Sequence, residues 1–430
     1  MNMDYKMNFS NRSLQRALIE ATRCLSCYDP PCIEACPVHV DVPAFIRRIK
    51  TGDFRGAVTA LRKDLVFPDT CALVCPHLRF CEKACCNKEL SGPINIGIIQ
   101  HFVATLGKEI EVKEKELGPS GKKVAVMGAG PAGLAAGKDL MVMGHDVTVF
   151  EAQPMPGGLL TYGIPAYRLP KEVPYEEVQY IKDMGLAVHT SERIGSAAKL
   201  LENGFDAVFI AIGAHEGLPL NIPGEELNGV KQGIDFMKNF NTGAIKSLSG
   251  KKVAVIGGGD VAIDAARCSV RLNAEKVYVI YRRSFDEMPA YEPEIDDAKK
   301  EGVNFLLLTL PVRILGHDGN VKSLECVKTT LGEVDESGRR RPIPIPESKF
   351  EIGIDIVIEA IGQKVDESFI QNNPDIEVVN GLIKVDEHLM TSHQGIFAAG
   401  DVVRGGSTVV QSIADGKRAV VEIDKFLKGG

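Results

Sequence analysis

The chain has 430 residues, enough for about three domains at the usual domain size. Its 50 lysines and arginines against 57 aspartates and glutamates give a net charge of −7, which argues against nucleic acid or an anionic membrane as a partner. No apolar run approaches the ~20 residues of a membrane helix, and residues 1–16 lack the apolar core of a secretory signal. We therefore expect a soluble, cytoplasmic, globular protein.

The first part of the chain, residues 1–107, is predicted to be a helical domain. Its apolar residues recur at the spacing of an amphipathic helix, and Ser10, Asn11 or Ser13 can cap the first helix. We expect the apolar side chains of this pattern to form the core of the domain: Leu14, Leu18, Ala21, Phe45, Ile49, Ala57 and Leu61.

Nine of the 11 cysteines lie in the first 90 residues. Disulfides do not persist in a reducing cytoplasm, and zinc ligands usually come as two well-separated pairs, so both are the less favoured alternatives. The first group is spaced C-x2-C-x4-C-x3-C and followed by proline, close to the bacterial ferredoxin run, and the second is spaced C-x3-C-x5-C-x3-C. The sequence therefore predicts two 4Fe-4S clusters, with these candidate ligands: Cys24, Cys27, Cys32, Cys36, Cys71, Cys75, Cys81 and Cys85.

The order of these cysteines does not by itself divide them between the two clusters. In two-cluster ferredoxins the last cysteine of a run ligates the other cluster, and Cys36 is a candidate for that arrangement. Cys86 directly follows Cys85, and we expect its side chain to point elsewhere and not to ligate a cluster.

A charged stretch separates the helical domain from the rest of the chain. Seven of the nine residues from Lys108 to Glu116 are charged, and Gly118, Pro119, Ser120 and Gly121 follow. This composition predicts a surface linker over residues 108–121.

The next segment has the order of a dinucleotide-binding fold. Residues 124–127 are typical of a buried parallel strand, an apolar helix extends to Met143, and residues 147–150 form a second strand. The turn between the first strand and the helix contains Gly128, Gly130 and Gly133, whose spacing lets backbone amides approach a pyrophosphate at the helix N-terminus. Glu151 follows the second strand, where an acid accepts ribose hydroxyls. We include Pro131 and Ala132, which begin the helix, among the candidate binding residues.

The same order recurs later in the chain. A strand at residues 253–256 precedes Gly257 and Gly259, a helix extends through Leu272, and residues 277–281 form the next strand. Asp260 and Val261 begin this helix and are candidate binding residues. Arg282 and Arg283 end the second strand in place of an acid, and guanidinium groups fit a 2′-phosphate, so this fold is predicted to prefer NADP. The alternative is a solvated strand end.

Together the two folds resemble the two-dinucleotide-binding flavoproteins. The resemblance rests on both glycine turns, on Gly157 to Leu160 after the first fold, and on Gly395 to Asp401 near the end of the chain. It implies an α/β architecture with FAD on the first fold, NADPH on an inserted second fold, and a C-terminal segment that returns to the flavin. The implied domains are 122–213 and 360–430 for FAD and 214–359 for NADP.

The resemblance also implies further flavin-side residues. Asp401 is expected at the ribityl or phosphate region, and a helix that begins near Ser407 is expected to aim its N-terminal dipole at the flavin ring. Tyr162, Tyr167 and Arg168 either lie near the flavin or support their loop. The remaining candidates on this side are Gly158, Leu159, Gly400 and Val409.

The cysteine groups and both folds together resemble a more specific family over nearly all of the chain. It comprises the small subunit of glutamate synthase, the electron-entry half of dihydropyrimidine dehydrogenase and the NADPH-binding subunits of bifurcating transhydrogenases. The segment Gly92 to Gly97, followed by Gln100, is similar to dihydropyrimidine dehydrogenase, in which a glutamine there ligates a cluster. By this resemblance Cys71 is spare, one cluster is held by Cys24, Cys27, Cys32 and Cys85, and the other is held by Cys36, Cys75, Cys81 and Gln100. From the residues alone, Gln100 is an ordinary helix residue.

The function implied is electron transfer between NADP(H), FAD, two 4Fe-4S clusters and a partner subunit, without a catalytic acid or base. The partner is another polypeptide of a glutamate synthase or dihydropyrimidine dehydrogenase type, or a diffusible acceptor such as ferredoxin. The alternative is a subunit of a bifurcating transhydrogenase that also uses NADH and ferredoxin. A disulfide reductase is disfavoured because Cys268 and Cys326 are isolated and expected to be buried. Arg339 to Arg341 form either a docking patch or a solvated hairpin, the latter favoured.

Overall fold

The computed structural model of the chain describes residues 11–110, 112 and 117–429. The predicted linker lies partly outside these residues. Residues 1–10, which include most of the segment expected to lack a secretory signal, also lie outside them. The chain divides into two compact units, a larger one of residues 1–161, 167–214 and 367–430 and a smaller one of residues 162–166 and 215–366. The domain boundaries inferred from the sequence remain predictions.

The larger unit begins with helices, as expected. They are α1 (Asn11–Thr22), α2 (Pro31–Glu34), α3 (Val42–Lys50), α4 (Phe54–Asp64), α5 (Pro68–Val74), α6 (Lys88–Ser91) and α7 (Ile96–Leu106), with a short 3-10 turn at His77–Arg79. Side chains cap three of them. The side-chain oxygens of Asp41, Asp53 and Asn95 each accept a hydrogen bond of 2.9 Å from the backbone N–H of the residue three positions later. The predicted core residues are buried except Leu14 and Leu18, which are half-buried.

The larger unit continues with a first set of strands and helices. They are β1 (Lys123–Met127), α8 (Pro131–Val142), β2 (Asp146–Phe150), α9 (Leu159–Tyr162), α10 (Glu172–Asp183), β3 (Ala187–His189), α11 (Ala197–Glu202) and β4 (Ala207–Ile210). The last residue of α9 already belongs to the smaller unit.

The smaller unit contains three helices and most of the strands described. Its elements are β5 (Glu216–Gly217), β6 (Val230–Gln232), α12 (Gly233–Asn241), β7 (Lys252–Ile256), α13 (Asp260–Arg271), β8 (Lys276–Ile280), α14 (Glu292–Lys300), β9 (Asn304–Leu306), β10 (Thr309–His317), β11 (Asn320–Val334), β12 (Arg340–Pro344), β13 (Phe350–Gly353), β14 (Ile356–Glu359) and β15 (Gln363–Lys364). A 3-10 turn covers Phe285–Glu287.

The chain then returns to the larger unit. Its last elements are α15 (Glu367–Asn372), β16 (Val378–Val379), β17 (Leu382–Ile383), β18 (Ile396–Ala398), α16 (Asp401–Arg404) and α17 (Val409–Leu427). Among the helices that the structure describes, none combines the length and the apolar character that a membrane crossing requires.

Each unit contains a parallel sheet of five strands. The order is β18-β4-β1-β2-β3 in the larger unit and β6-β14-β7-β8-β9 in the smaller one. In the larger unit, Phe209 of β4 pairs with Val126 on one side and with Phe397 of β18 on the other. Strand β18 lies beside β4 in the sheet, but in sequence it comes after the whole smaller unit. The second dinucleotide-binding fold is therefore inserted in the first. The predicted fold class is therefore confirmed.

The smaller unit carries an additional antiparallel layer. Strands β10, β11 and β12 pair in that order, and β13 also pairs with β11. The core of the unit joins this layer to the parallel sheet through Ile314 and Leu324 on one side and Ala254 and Val357 on the other. Burial of these aliphatic groups fixes the hairpins against the parallel sheet.

Candidate functional site

Three cysteines of the first group line one open pocket together with a cysteine of the second group. Cys24, Cys27, Cys32 and Cys85 lie around it, with apolar side chains such as Ile46 between them. Burial and the neighbouring Cys24 and Cys85 raise the pKa of the Cys32 thiol to about 12. The structure therefore brings together the four cysteines that the family resemblance groups.

Cys86 belongs to the same pocket, so the expectation that its side chain points elsewhere is wrong. Burial, followed by a hydrogen bond to Cys86, raises the pKa of the Cys27 thiol. The backbone around Cys85 and Cys86 is a turn, in which consecutive side chains can share one side. Neighbouring side chains point to opposite sides in a strand, but not in this turn.

The second group of cysteines is more deeply buried. Burial, with the charges of Cys36 and Glu82, raises the pKa of the Cys75 thiol, and burial with Cys75 and Cys36 raises that of Cys81. Cys71 on α5 belongs with them, because burial and then Cys75 raise the pKa of its thiol. Cys32 also contributes to the shift of Cys81, so the two groups are neighbours.

Gln100 lies on α7 and is 6% exposed. Its Nε2 donates a hydrogen bond of 2.8 Å to the carbonyl of Pro68, the first residue of α5. This bond fixes the amide beside the helix that carries Cys71. The choice between Cys71 and Gln100 as a ligand stays a prediction.

The donor set fits iron–sulfur clusters. Two groups of at least four soft donors lie next to each other, and thiolates are the usual ligands of 4Fe-4S clusters. In the part of the chain that the structure describes, no three His, Cys, Asp or Glu side chains converge on the position of one metal ion.

The first glycine turn has two kinds of glycine. A Cβ on Gly128, which has φ +101°, would lie 2.5 Å from the carbonyl oxygen of Ala211, and one on Gly133 would lie 2.0 Å from that of Gly128. A Cβ on Gly130 would meet nothing within 4 Å. Gly130 caps α8, and Pro131 and Ala132 begin it. The turn is thus closed by packing at both ends and leaves open backbone at its centre, as a bound pyrophosphate requires.

Glu151 is positioned beneath this turn. Its Oε2 accepts a bond of 2.9 Å from the backbone N–H of Ala129, and its Oε1 accepts one of 2.7 Å from that of Gln153. The carboxylate is buried and held by backbone donors at the end of β2. This is the place that the sequence assigns to a ribose-binding acid.

Two later segments lie against the first turn. A Cβ on Gly158 would be 3.0 Å from the Cα of Gly130, and one on Gly400 would be 3.1 Å from the Cβ of Ala132. A Cβ on Gly416 of α17 would be 2.3 Å from the carbonyl oxygen of Ala132, so α17 crosses the start of α8 closely. Gly158 and Gly400 therefore lie at the turn, as the flavoprotein resemblance implies.

Asp401 begins α16 next to Gly400. Its Oδ1 accepts hydrogen bonds of 2.7 Å from Ser407 and 3.2 Å from Ser412. Burial raises the pKa of Asp401, and these two hydroxyl groups oppose the shift. Val409 is the first residue of α17, which starts after the capping residue Thr408.

The remaining flavin-side candidates surround α9. Leu159 begins α9 and is half-buried. Tyr162, the last residue of α9, is buried, and Tyr167 and Arg168, between α9 and α10, are half-buried. Their role stays a prediction.

The second glycine turn repeats the design of the first. A Cβ on Gly257, which has φ +143°, would lie 2.2 Å from the carbonyl oxygen of Ala360, whereas one on Gly259 would meet nothing within 4 Å. Gly259 caps α13. Asp260 accepts a bond of 2.9 Å from the backbone N–H of Tyr291, and Val261 follows it in the first turn of the helix. The open backbone at Gly259 again fits a pyrophosphate.

The structure separates the two arginines that the sequence pairs. Arg282 is exposed, but Arg283 is only 3% exposed. Arg283 donates from Nε to the carbonyl of Arg340 at 2.7 Å and from Nη2 to Asp335 at 2.6 Å. Arg283 thus holds the β11–β12 hairpin, and of the two arginines it is Arg282 whose side chain is exposed.

Sequence reasoning missed a buried polar cluster at the end of β14. Glu359 is 2% exposed, and burial together with Glu225 raises its pKa to about 7. Gln232 donates to its Oε2, while Glu359 Oε1, Gln232 Oε1 and Gln363 Nε2 are buried without a hydrogen-bond partner among the described residues. The available signal was a carboxylate at the end of an otherwise apolar strand, Ile356–Glu359.

The comparisons agree with this geometry. The family model for pyridine nucleotide-disulphide oxidoreductases matches residues 122–416, and the one for dihydropyrimidine dehydrogenase domain II, 4Fe-4S cluster, matches residues 2–112. The chain is 40% identical to the NADP(+)-dependent formate dehydrogenase subunit beta of Moorella thermoacetica over 93% of its length, but it spans only 60% of that relative. It is 34% identical to the glutamate synthase [NADPH] small chain of Halomonas elongata, covering 94% of this chain and 89% of that one.

A solved structure shares the fold of much of the chain. Mycobacterium tuberculosis FprA in complex with NADPH aligns with a TM-score of 0.62 and 19% identity, covering 72% of this chain and 85% of FprA. At this level of identity the likeness concerns the fold.

Proposed function

Because the chain belongs to the pyridine nucleotide-disulphide oxidoreductase family and includes a 4Fe-4S domain of the dihydropyrimidine dehydrogenase type, we propose that it is an electron-transfer subunit. It moves electrons between NADP(H) and a partner protein through FAD and two 4Fe-4S clusters. The observation that carries this proposal is the presence in one chain of two open glycine turns, at Gly130 and Gly259, and two neighbouring groups of cysteine thiols.

The side chains contribute binding and orientation. The turn at Gly130 holds the pyrophosphate of FAD at the start of α8, and Glu151 accepts the ribose hydroxyls. Asp401, fixed by two serine hydroxyls, would bind the ribityl or phosphate region, and the N-terminus of α17 would face the flavin. The turn at Gly259 holds the pyrophosphate of NADP(H), and Arg282 attracts its 2′-phosphate.

When bound, FAD exchanges a hydride with nicotinamide and single electrons with the 4Fe-4S clusters. The protein therefore needs no acid or base for this half-reaction. Its cysteines hold the clusters in two adjacent groups, and burial of the second group keeps water away from it. We assign the ligands as the family resemblance groups them, with Cys24, Cys27, Cys32 and Cys85 in the first set.

The electron acceptor is proposed to be a separate subunit. The two relatives are described as a subunit and as a small chain, respectively, and the chain spans three fifths of the formate dehydrogenase relative. Isolation of the complex from its native source tests this point. If the chain is isolated with one FMN-binding catalytic subunit, it belongs to a biosynthetic or degradative complex. If it is isolated with several flavin and iron–sulfur subunits, the bifurcating alternative is supported.

An anaerobic titration of the purified protein tests the electron pathway. Iron and FAD are counted first, and flavin bleaching and cluster EPR are then followed as NADPH or NADH is added. We expect about eight iron atoms and one FAD per chain, reduced by NADPH more readily than by NADH. Four iron atoms or none would contradict the cluster assignment, and reduction by NADH alone would contradict the NADP preference.

A further inference from the structure

The β11–β12 hairpin lies against the carboxyl end of β8, in the same unit. Thr329 of β11 donates its hydroxyl to the carbonyl of Arg282 at 2.9 Å, and Arg283 donates to the carbonyl of Arg340 at 2.7 Å. These bonds bring the tip of the hairpin, residues 335–339, to the strand end that the sequence assigns to NADP recognition. In sequence the two places are more than 50 residues apart.

Most charges at this place are already paired. Asp335 accepts from Arg283 and from Ser337, and these bonds lower its pKa to about 2. Glu287 accepts from Arg340 and from Ser284. Asp335 and Glu287 are thus occupied by Arg283 and Arg340, whereas Glu336, also in the tip, is exposed.

Some guanidinium groups here have no carboxylate partner among the described residues. Arg282 is exposed and without an ion pair in that part of the chain, and the guanidinium group of Arg339 bonds there only the hydroxyl of Ser337, at 3.0 Å. Asp335 links Arg339 to the end of β8, because its N–H donates to the carbonyl of Arg339 at 2.8 Å and its carboxylate accepts from Arg283. Burial first, then Arg283, lowers the pKa of Arg282, and Arg339 also contributes to this shift. Like charges near one strand end repel each other, and an anion between them would remove this repulsion.

We propose that Arg339, at the tip of the β11–β12 hairpin, joins Arg282 in binding the 2′-phosphate of NADP(H). The inference rests on the proposed use of NADP(H) and deepens it, because it names a second contact supplied by a separate segment of the chain. Arg283, which the sequence places at the phosphate, instead anchors the hairpin that delivers Arg339. The arginine run therefore acts within its own unit, not as a docking patch.

Binding of two adenosine fragments tests the proposal directly. Isothermal titration calorimetry of the full-length protein with 2′,5′-ADP and with 5′-AMP separates recognition of the 2′-phosphate from binding of the rest of the nucleotide. We expect Arg339→Gln and Arg282→Gln each to weaken 2′,5′-ADP roughly tenfold, because each removes a charge-assisted hydrogen bond, and to leave 5′-AMP unchanged. Arg339→Lys should restore part of the loss, since it keeps the charge without the planar fork.

Arg313→Gln is the matched control. Arg313 is exposed on β10 of the same antiparallel layer, where it pairs in register with Glu325 and not with the hairpin tip. It should bind both fragments like the parent. If Arg339→Gln binds 2′,5′-ADP as tightly as the parent while Arg282→Gln does not, Arg339 has no part in the site. If the parent itself does not prefer 2′,5′-ADP to 5′-AMP, the proposed use of NADP(H) is wrong as well.

Discussion

Glycines in the two nucleotide turns serve two separate purposes. Gly133 and Gly257 are required by packing, because a Cβ on either would overlap a backbone carbonyl oxygen. Gly130 and Gly259 have ordinary negative φ angles and open space around them, so the protein itself does not require glycine at these two positions. We propose that the ligand requires it, because its pyrophosphate would approach the backbone more closely than a side chain allows.

A pair of alanine substitutions separates the two cofactors. We expect Gly130→Ala to fold with nearly the melting temperature of the parent and to lose most of its FAD. Gly259→Ala should keep its FAD, but reduction of that flavin by NADPH should be at least about tenfold slower. Gly353→Ala, which also adds a Cβ in open space but lies outside both turns, serves as the control. Loss of FAD from Gly259→Ala would show that the two turns are assigned the wrong way round.

Iron content distinguishes ligands from neighbouring thiols. By the family resemblance, Cys75→Ser should lose about four iron atoms, whereas Cys71→Ser should keep about eight. Cys86→Ser should also keep its iron, in contrast to Cys85→Ser next to it. Iron is measured on the anaerobically purified variants, together with the EPR signals. If Cys71→Ser loses half of the iron, Cys71 and not Gln100 completes the second set.

Glu359 makes stability depend on pH. Burial raises its pKa from 4.5 to about 7, so the folded protein retains this proton at pH values where the unfolded chain has lost it. The stability that the protonated group contributes is complete below pH 4.5 and is lost as the pH rises through 7. We expect Glu359→Gln to melt at the same temperature as the parent at pH 5 and at a higher temperature at pH 8. The exposed Glu351→Gln should show no such trend, and a constant difference for Glu359→Gln would contradict the argument.

At the scale of elements, α17 connects the C-terminal part of the chain to the first glycine turn. It is 19 residues long and buries Val410, Ile413, Val420 and Ile423. Its N-terminus is closed by a capping box, in which the Thr408 hydroxyl accepts from the Gln411 N–H and donates to the Gln411 side chain. The helix is therefore fixed at the end where the flavin is expected.

Removal of this cap should be measurable. Thr408→Ala leaves a backbone donor of the first helical turn unpaired, which costs about 1 kcal/mol of the free energy of unfolding. Thr59→Ala, on the exposed face of α4, should have a much smaller effect. Denaturant unfolding of both variants gives the comparison. Equal effects would mean that the cap does not stabilise α17.

At the scale of the whole molecule, the larger unit depends on residues from both sides of the insertion. Strand β4 pairs with β18, while the smaller unit is almost continuous in sequence. A chain that ends before Ile396 should therefore lose hydrogen-exchange protection in β1 and β4 and retain it in β7 and β14. Loss of protection in both units alike would show that the smaller unit does not fold by itself.

Local patterns predicted the local parts of this structure. The glycine spacing placed both turns, because each is built from consecutive residues. The cysteine spacing predicted that there are two groups of thiols, but not that Cys85 lies with the first three cysteines and Cys36 with Cys75 and Cys81. The contacts of Arg283 with Asp335 and of Glu359 with Gln232 join segments 52 and 127 residues apart, which no spacing rule reaches. Cys86 was misplaced for another reason, since the side to which it points depends on a turn that the sequence does not specify.

The pairing of β4 with β18 also matters while the protein is being made. The ribosome must add residues 211–395 after β4 before its partner strand exists, which takes about 10–40 s at ordinary rates of synthesis. During that interval the nascent chain presents an unpaired strand edge, which is an opening for aggregation. The inserted unit can fold within the same interval, so the later segment of the protein is expected to reach its native form before the earlier one is complete.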